Sequence, residues 1–290
     1  MLNLFKKSPL KTIDKVSLDK EIENFSFSGV TDNEKGLIIS LTSFPQRMYE
    51  IHFTLYSLLT QTVKPAKVIL WLGEEQFPNK EQDIPEKVLK LKGNGLTIGW
   101  YKNLRSYTKL IPALKNYPNN IIVTADDDIY YEKDWLEKLL KSYEENKDCI
   151  ICHRAHKVKI NKNTLAPYKK WPKKIKSSKA SYLNFLTGVG GVLYPPNCLY
   201  KDVLNEELFI ELAPKADDVW FWAMAALNHT KTVVAKDCIR ELTYVNPERE
   251  RGLTNEITLF SSNKKGGNDK QITNVINHYP QLLEILKEKN

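Results

Sequence analysis

Ile121-Ile122-Val123-Thr124-Ala125-Asp126-Asp127-Asp128-Ile129-Tyr130-Tyr131 is the stretch that decides how this chain is read. Its first four residues are β-branched and suit a buried, pleated strand. Three carboxylates follow at once. Like charges packed this closely repel, so a sheet carries them at its mouth when something positive belongs there. A divalent metal is the natural candidate, because it takes hard carboxylate oxygens and bridges to substrate phosphates. The plainer reading is a solvated loop after a strand, or a cap for the helix that follows. The triplet alone leaves both open.

Upstream of the triplet, strand and helix patterns alternate. Gly36-Leu37-Ile38-Ile39-Ser40-Leu41 is an apolar run that suits a strand buried on both faces, and a polar turn, Thr42-Ser43-Phe44-Pro45-Gln46-Arg47, follows it. Residues 48–61 place Ile51, Leu55, Leu58 and Leu59 at helical spacing. Further strands are expected at 67–72, 96–100, 121–124 and 149–152. Helices are expected at 84–91 (opened by Pro85), 108–115 and 134–145. This alternation predicts an α/β fold: a Rossmann-like, mostly parallel sheet with helices on both faces. Ligands of such sheets bind beyond the carboxyl ends of the strands. The turn at 42–47 and the triplet both lie there, so they converge on one edge.

The bulk composition excludes several classes. With 42% hydrophobic and 27% charged residues, the 290-residue chain is that of a globular protein rather than a disordered one. No run is long enough to cross a bilayer, and Met1 to Leu10 is too short and too interrupted by Lys6 and Lys7 to be a secretory signal; a cytoplasmic protein is expected. Cys149 and Cys152 form a CxxC with no second pair to complete a zinc site, so they read as buried strand residues. The net charge of +8 is concentrated. Lys157, Lys159, Lys162, Lys169, Lys170, Lys173, Lys174, Lys176 and Lys179 lie within one segment that contains no acid, interleaved with Tyr168 and Trp171. That segment reads either as a solvated loop or as a contact for an anionic partner: a phosphate-bearing acceptor, or the inner face of an anionic membrane touched peripherally through Lys157–Lys179. Nucleic acid is not expected, since none of its binding motifs is present.

The second half holds two further signals. Thr187-Gly188-Val189-Gly190-Gly191-Val192, leading into Tyr194-Pro195-Pro196, is neither a P-loop nor a GxGxxG, and reads as a bent strand or the wall of a cleft. Asp217-Asp218 opens an apolar helix through Val219, Trp220, Phe221 and Trp222. Acids suit a helix N-terminus, but a carboxylate beside another also has a raised pKa, as a general base requires.

Taken together, the opening strand with its polar turn, the DDD that ends a strand, the Gly-rich segment with its Tyr-Pro-Pro exit and the acidic pair before an aromatic helix resemble a GT-A-fold glycosyltransferase. The likeness is to the family-2-like bacterial enzymes that build surface polysaccharide or lipooligosaccharide, and it spans roughly residues 36–245. It implies a hexosyl transfer from a nucleotide-sugar, a UDP-sugar by preference, to a glycan or glycolipid hydroxyl, with Mn²⁺ or Mg²⁺ as cofactor. It implies that Thr42, Ser43, Pro45 and Arg47 lie near the base and ribose and that Lys109 approaches the phosphates. It puts Asp126 at the ribose or metal and Asp128 on the metal, with Asp127 the alternative in register. Asp218 becomes the base and Asp217 a residue that places the acceptor. The organisation that follows is a peripheral segment 1–35, a nucleotide-sugar half 36–155, an acceptor half 156–245 with the Lys-rich loop, and a C-terminal part 246–290. In that last part Arg249, Arg251, Lys264, Lys265, Gly266 and Gly267 suggest a lid. A third metal ligand is left open between His229 and His278. The alternatives are a sugar nucleotidyltransferase, disfavoured because 41–48 holds no glycine, and a non-catalytic anion- or carbohydrate-binding module, which leaves two acidic clusters unexplained.

Overall fold

The computed structural model describes residues 10–31, 33–162, 164–250 and 267–288. Its centre is a seven-stranded sheet built from β1 (Ile38–Ser43), β2 (Lys67–Gly73), β3 (Leu96–Tyr101), β4 (Ile122–Thr124), β6 (Ile150–Cys152), β11 (Val192–Tyr194) and β12 (Thr232–Val234). The spatial order is β12-β6-β11-β4-β1-β2-β3. The strands run parallel except β11, which is antiparallel to both of its neighbours. The reversal of β11 has a consequence for the site. Val192, its first residue, pairs with Thr124 and Cys152, the last residues of β4 and β6. The glycine segment therefore enters the sheet at the edge where the parallel strands end.

Adjacent strand residues divide between two cores, as the pleat requires. Ile38, Ile69, Ile122, Ile150, Val192 and Val234 face one side, and Ile39, Val68, Leu70, Val123, Ile151 and Leu193 face the other. The second side is covered by α2 (Ile51–Leu59), α3 (Glu86–Lys90) and α5 (Trp135–Glu144). The first is covered by α4 (Ile111–Asn116), α6 (Glu206–Leu212), α7 (Asp217–Leu227), α9 (Asn268–His278) and α10 (Gln281–Lys287). Each fully buried Leu or Ile contributes about 1.5–3 kcal/mol, so burial on both faces holds the sheet edge rigid. The expected mostly parallel sheet with helices on both faces is the fold observed.

Boundaries moved where packing overrode local pattern. β1 runs two residues further than expected, so Thr42 and Ser43 end the strand, and the turn is reduced to a single 3-10 turn, Pro45–Arg47. Pro85 caps α3 rather than opening it. The helix expected over 108–115 splits into a 3-10 turn ending at Lys109 and α4. Within 1–35, α1 (Lys15–Glu23) is capped by Asp14 and lies on α2 through Leu18 and Phe53, with a Lys15–Glu50 ion pair at 2.5 Å.

The Lys-rich segment is no open loop. It contains β7 (Ala155–Lys157), the hairpin of β8 (Ile160–Asn161) and β9 (Thr164–Leu165), and a 3-10 turn at 168–170. β7 pairs with β10 (Asn184–Leu186). The interleaved aromatics explain the order: Trp171 is 2% exposed, with its ring 5.4 Å from Phe185 and 6.4 Å from Trp222. Eight of the nine lysines point outward and Lys157 is half-buried, so one segment supplies both core and charged surface. Beyond it, β5 (Ile129–Tyr130) pairs with β13 (Thr243–Tyr244), just before α8 (Pro247–Glu250). Of the residues read as a lid, Arg251, Lys264, Lys265 and Gly266 lie outside the described residues. Arg249 is buried and paired with Glu50 at 3.0 Å.

Candidate active site

β1 and β4 bring the first groups together. Ser40 is level with Thr124, and three residues further along each strand's path stand Ser43 and Asp127. The Ser43 hydroxyl donates to Asp127 Oδ2 at 2.5 Å. Arg47, on the 3-10 turn after β1, donates to Asp127 Oδ1 and, at 2.7 Å, to Asp128 Oδ2. Its guanidinium lies 5.2 Å from the Phe44 ring centre. Thr42 turns its hydroxyl to the Trp71 carbonyl at 2.9 Å, and Pro45 opens the turn.

The three aspartates are not equivalent. Both oxygens of Asp127 are taken by Ser43 and Arg47, and burial still raises its pKa to about 6 against the pull of Arg47. Asp126 Oδ1 accepts from Lys109 Nζ at 3.3 Å, and burial raises its pKa too, with Lys109 opposing and Asp128 adding repulsion. Among the described residues, Oδ2 of Asp126 and Oδ1 of Asp128 accept no hydrogen bond. The backbone is braced by Tyr131, whose hydroxyl accepts the Asp126 N–H at 2.7 Å, and by Thr54, which donates to the Asp127 carbonyl at 3.1 Å.

Lys109 links the triplet to the acidic pair. Its carbonyl accepts the Ser40 hydroxyl at 2.6 Å, which pins the turn to β1. Its ammonium stands between Asp126 and Asp217, 3.5 Å from Asp217 Oδ2. Burial works against this charge, but Asp126, Asp217 and Asp218 overcome it and raise its pKa. Asp217 is buried in the first turn of α7. Asp218 is half-buried; its Oδ1 accepts the Gly188 N–H at 2.8 Å, and Oδ2 accepts no hydrogen bond among the described residues. Burial, then repulsion from Asp217, lifts Asp218 to about 7. A Cβ at Gly188 would lie 2.6 Å from Lys109 Nζ and 3.2 Å from Asp218 Oδ1, so this close approach needs glycine. Gly191, at φ 104°, makes the turn into β11 against Trp135.

The structure thus gathers Ser43, Arg47, Lys109, Asp126, Asp127, Asp128, Asp217 and Asp218 at one edge. Five carboxylates meet two cations. His229 stands apart: it follows α7 at the end opposite Asp218, a helix of 11 residues and so about 16 Å away. His278 is exposed at the end of α9. The four cysteines are free, with Cys152 and Cys198 buried. Sequence reading missed Tyr131, Thr54 and the anchoring N–H of Gly188. The first two look like ordinary core residues. The third was signalled by the glycine run, read there only as a cleft wall.

Residues 50–209, more than half of the chain, match the profile of Glycosyl transferase family 2, and the protein belongs to that family. It is a GT-A-fold glycosyltransferase. The chain is similar to the crystal structure of S. aureus TarS residues 1–349, at 16% identity and a TM-score of 0.50, covering 86% of this chain and 70% of that one. The same TarS fragment in complex with UDP aligns at 17% identity and TM-score 0.48, over 75% of this chain and 62% of that one. A mannosyltransferase from Pyrobaculum calidifontis, in complex with GDP-Man and Mn²⁺, aligns at 11% identity and TM-score 0.46, over 93% and 79%. No curated protein sequence matches the chain. Family membership favours the glycosyltransferase over the nucleotidyltransferase and the non-catalytic module. Among the described residues, no helix is long and apolar enough to cross a membrane.

Proposed function

We propose that the protein is a metal-dependent, inverting glycosyltransferase that moves a sugar from a UDP-sugar to a hydroxyl of a glycan or glycolipid in surface polysaccharide synthesis. The carrying observation is the division of labour among the carboxylates: Asp126 and Asp128 each keep one oxygen unbonded, while Asp218, across Lys109, keeps one unbonded oxygen and a pKa of about 7. The donor set suits Mn²⁺ or Mg²⁺. Among the described residues no three acids, imidazoles or thiolates are placed to hold one metal ion together. One or two carboxylates nevertheless suffice where diphosphate oxygens and water complete the shell. Asp126 and Asp128 would hold the ion, which when bound would neutralise the leaving diphosphate.

The protein's own groups do the rest. Arg47, fixed by Asp127 and Asp128, and Ser43 and Thr42 on β1 border the nucleotide, with Pro45 holding the turn. Asp127, locked by Ser43 and Arg47, sets the shape of the triplet. Lys109 offers positive charge on the phosphate side. Asp218 Oδ2 takes the proton from the acceptor hydroxyl as that oxygen bonds to the anomeric carbon and the bond to the diphosphate breaks. A single displacement of this kind inverts the anomeric centre. Asp217 holds Lys109 and raises the basicity of Asp218, and through both it places the acceptor. The exposed lysines of 159–179 suit peripheral contact with an anionic membrane from its cytoplasmic side. Calorimetry with UDP, with and without Mn²⁺, tests the proposal: affinity should fall at least tenfold in EDTA, and equal affinity would remove the metal from the mechanism.

A further inference from the structure

Arg154 stands just past the carboxyl end of β6, on the edge that carries the aspartates. Its backbone is tied to the loop that holds the base. Thr187 donates its N–H at 3.1 Å and its hydroxyl at 3.3 Å to the Arg154 carbonyl, and the next residue, Gly188, donates to Asp218. The side chain has no such tie. It is half-buried, its Nε is out of reach of water, and it makes no hydrogen bond or ion pair with any described residue. Arg47 and Arg249, by contrast, are both paired with carboxylates. A guanidinium removed from water without a partner is costly, and its planar fork is shaped for a carboxylate or phosphate.

Its surroundings favour such a ligand. The Arg154 charge is felt at His156, at Lys173 and at the Tyr168 hydroxyl, and the charge of Asp218 is felt at the same hydroxyl. Lys173 Nζ lies 3.2 Å from the Tyr168 ring centre and donates to the Tyr168 carbonyl at 2.8 Å. Burial keeps His156 neutral, with its pKa lowered to about 4, and its Nδ1 accepts the Lys174 N–H at 3.2 Å. Two acids face the group: Asp218, and Asp269, whose Oδ1 accepts the Tyr168 N–H at 2.7 Å. Neither acid is bonded to the Arg154 guanidinium: Asp269 Oδ1 holds the Tyr168 N–H and Asp218 Oδ1 the Gly188 N–H.

We infer that Arg154, Lys173 and Tyr168 form a subsite for an anionic group, phosphate or carboxylate, carried by the acceptor beside the hydroxyl that Asp218 activates. The inference rests on the glycosyltransferase reading of Asp218 and adds to it the charge class of the acceptor. Arg154 is tied through Thr187 to the loop whose Gly188 N–H holds Asp218, and the charge of Asp218 acts on the Tyr168 hydroxyl, so the subsite is assigned to the acceptor rather than to the donor diphosphate.

The test is calorimetric, with the donor site first filled by saturating UDP and Mn²⁺ at fixed ionic strength. Glucose 6-phosphate, glucuronate and glucose are then titrated into the wild type, Arg154→Met and Lys173→Met. The wild type should bind at least one anionic sugar saturably and more tightly than glucose; which of the two binds tells phosphate from carboxylate. Arg154→Met should weaken that binding by about 10- to 100-fold, the loss expected for charge-assisted hydrogen bonds. Lys173→Met, at an exposed position, should weaken it less and serves if the arginine variant fails to fold. Equal binding of glucose and both anionic sugars by the wild type, or unchanged binding in both variants, overturns the subsite. Failure of UDP to bind in the first step would instead count against the donor site, so the two readings fail separately.

Discussion

The two acidic clusters of the site are treated differently by the fold. In the triplet, Asp127 and Asp128 are tied to Arg47 and Asp126 to Lys109, so side-chain cations meet every member. In the pair, Asp217 shares Lys109, while Asp218 has only the Gly188 N–H and stands near pKa 7. In the triplet Arg47 and Lys109 oppose the burial that raises Asp127 and Asp126, whereas Asp218, with no cation bonded to it, is raised further, to about 7. A carboxylate buried beside another acid, with no cation bonded to it, can take and release a proton. The contrast separates a charge-holding half from a proton-handling half, and substitutions on the two sides should differ in kind.

The largest effect belongs to Asp218→Asn. Removing a general base lowers the rate by about 10²- to 10⁴-fold, and kcat for transfer should fall in that range while UDP affinity holds. Asp128→Ala should do the reverse in binding: at least a tenfold loss of UDP affinity in Mn²⁺, with the difference between Mn²⁺ and EDTA shrinking. If Asp218→Asn abolished UDP binding, or Asp128→Ala left the metal dependence intact, the division between the clusters would not stand.

A pH profile sharpens the same contrast. Asp218 must be ionised to act, so kcat/KM should fall as pH drops through about 7. Asp217→Asn removes a neighbouring negative charge and should move that acid limb to lower pH. The linkage to stability has the opposite sign from the usual carboxylate. The folded pKa lies above the unfolded value of about 3.9, so the folded state holds the proton more tightly, and this group's contribution to stability declines as pH rises from about 4 to 7. Gly188→Ala should act on both clusters, because its Cβ meets Lys109 Nζ at 2.6 Å and Asp218 Oδ1 at 3.2 Å. The lysine end can swing away, so the fold should survive with kcat reduced about tenfold and the acid limb displaced. An unaltered profile would mean that Gly188 does not set the basicity of Asp218.

The first half of the sheet is legible in the sequence because strands buried on both faces are continuous apolar runs, and each is followed by a helix with a clear period. The triplet and the pair are legible because clustered acids stand out against such runs. The bonds between them are not. Nothing local says that Asp127 turns to Ser43 and Arg47, since that follows from the register of β1 on β4. Nor does any pattern show that the Gly188 N–H meets Asp218, because β11 runs against its neighbours and that reversal is a tertiary fact. The Lys-rich segment misleads for a related reason: charge dominates its composition, whereas two aromatics, Tyr168 and Trp171, determine its packing.

That segment provides the smallest expected effect. Lys169, Lys170, Lys174 and Lys176 are all exposed, and replacing all four by Gln should change stability by no more than about 0.5 kcal/mol per site, the usual range for surface positions. Trp171→Ala, three residues before Lys174, should cost about 3–5 kcal/mol, because it empties the space between Phe185 and Trp222. Denaturant melts of the two variants would separate the roles of charge and ring within one stretch of chain. The quadruple variant should also lose binding to vesicles that contain anionic lipid, with the difference from wild type shrinking as salt rises, because exposed charges act through a screened field. Equal vesicle binding at low salt would make the lysines a solvated face and leave Trp171 as the reason for the segment's order.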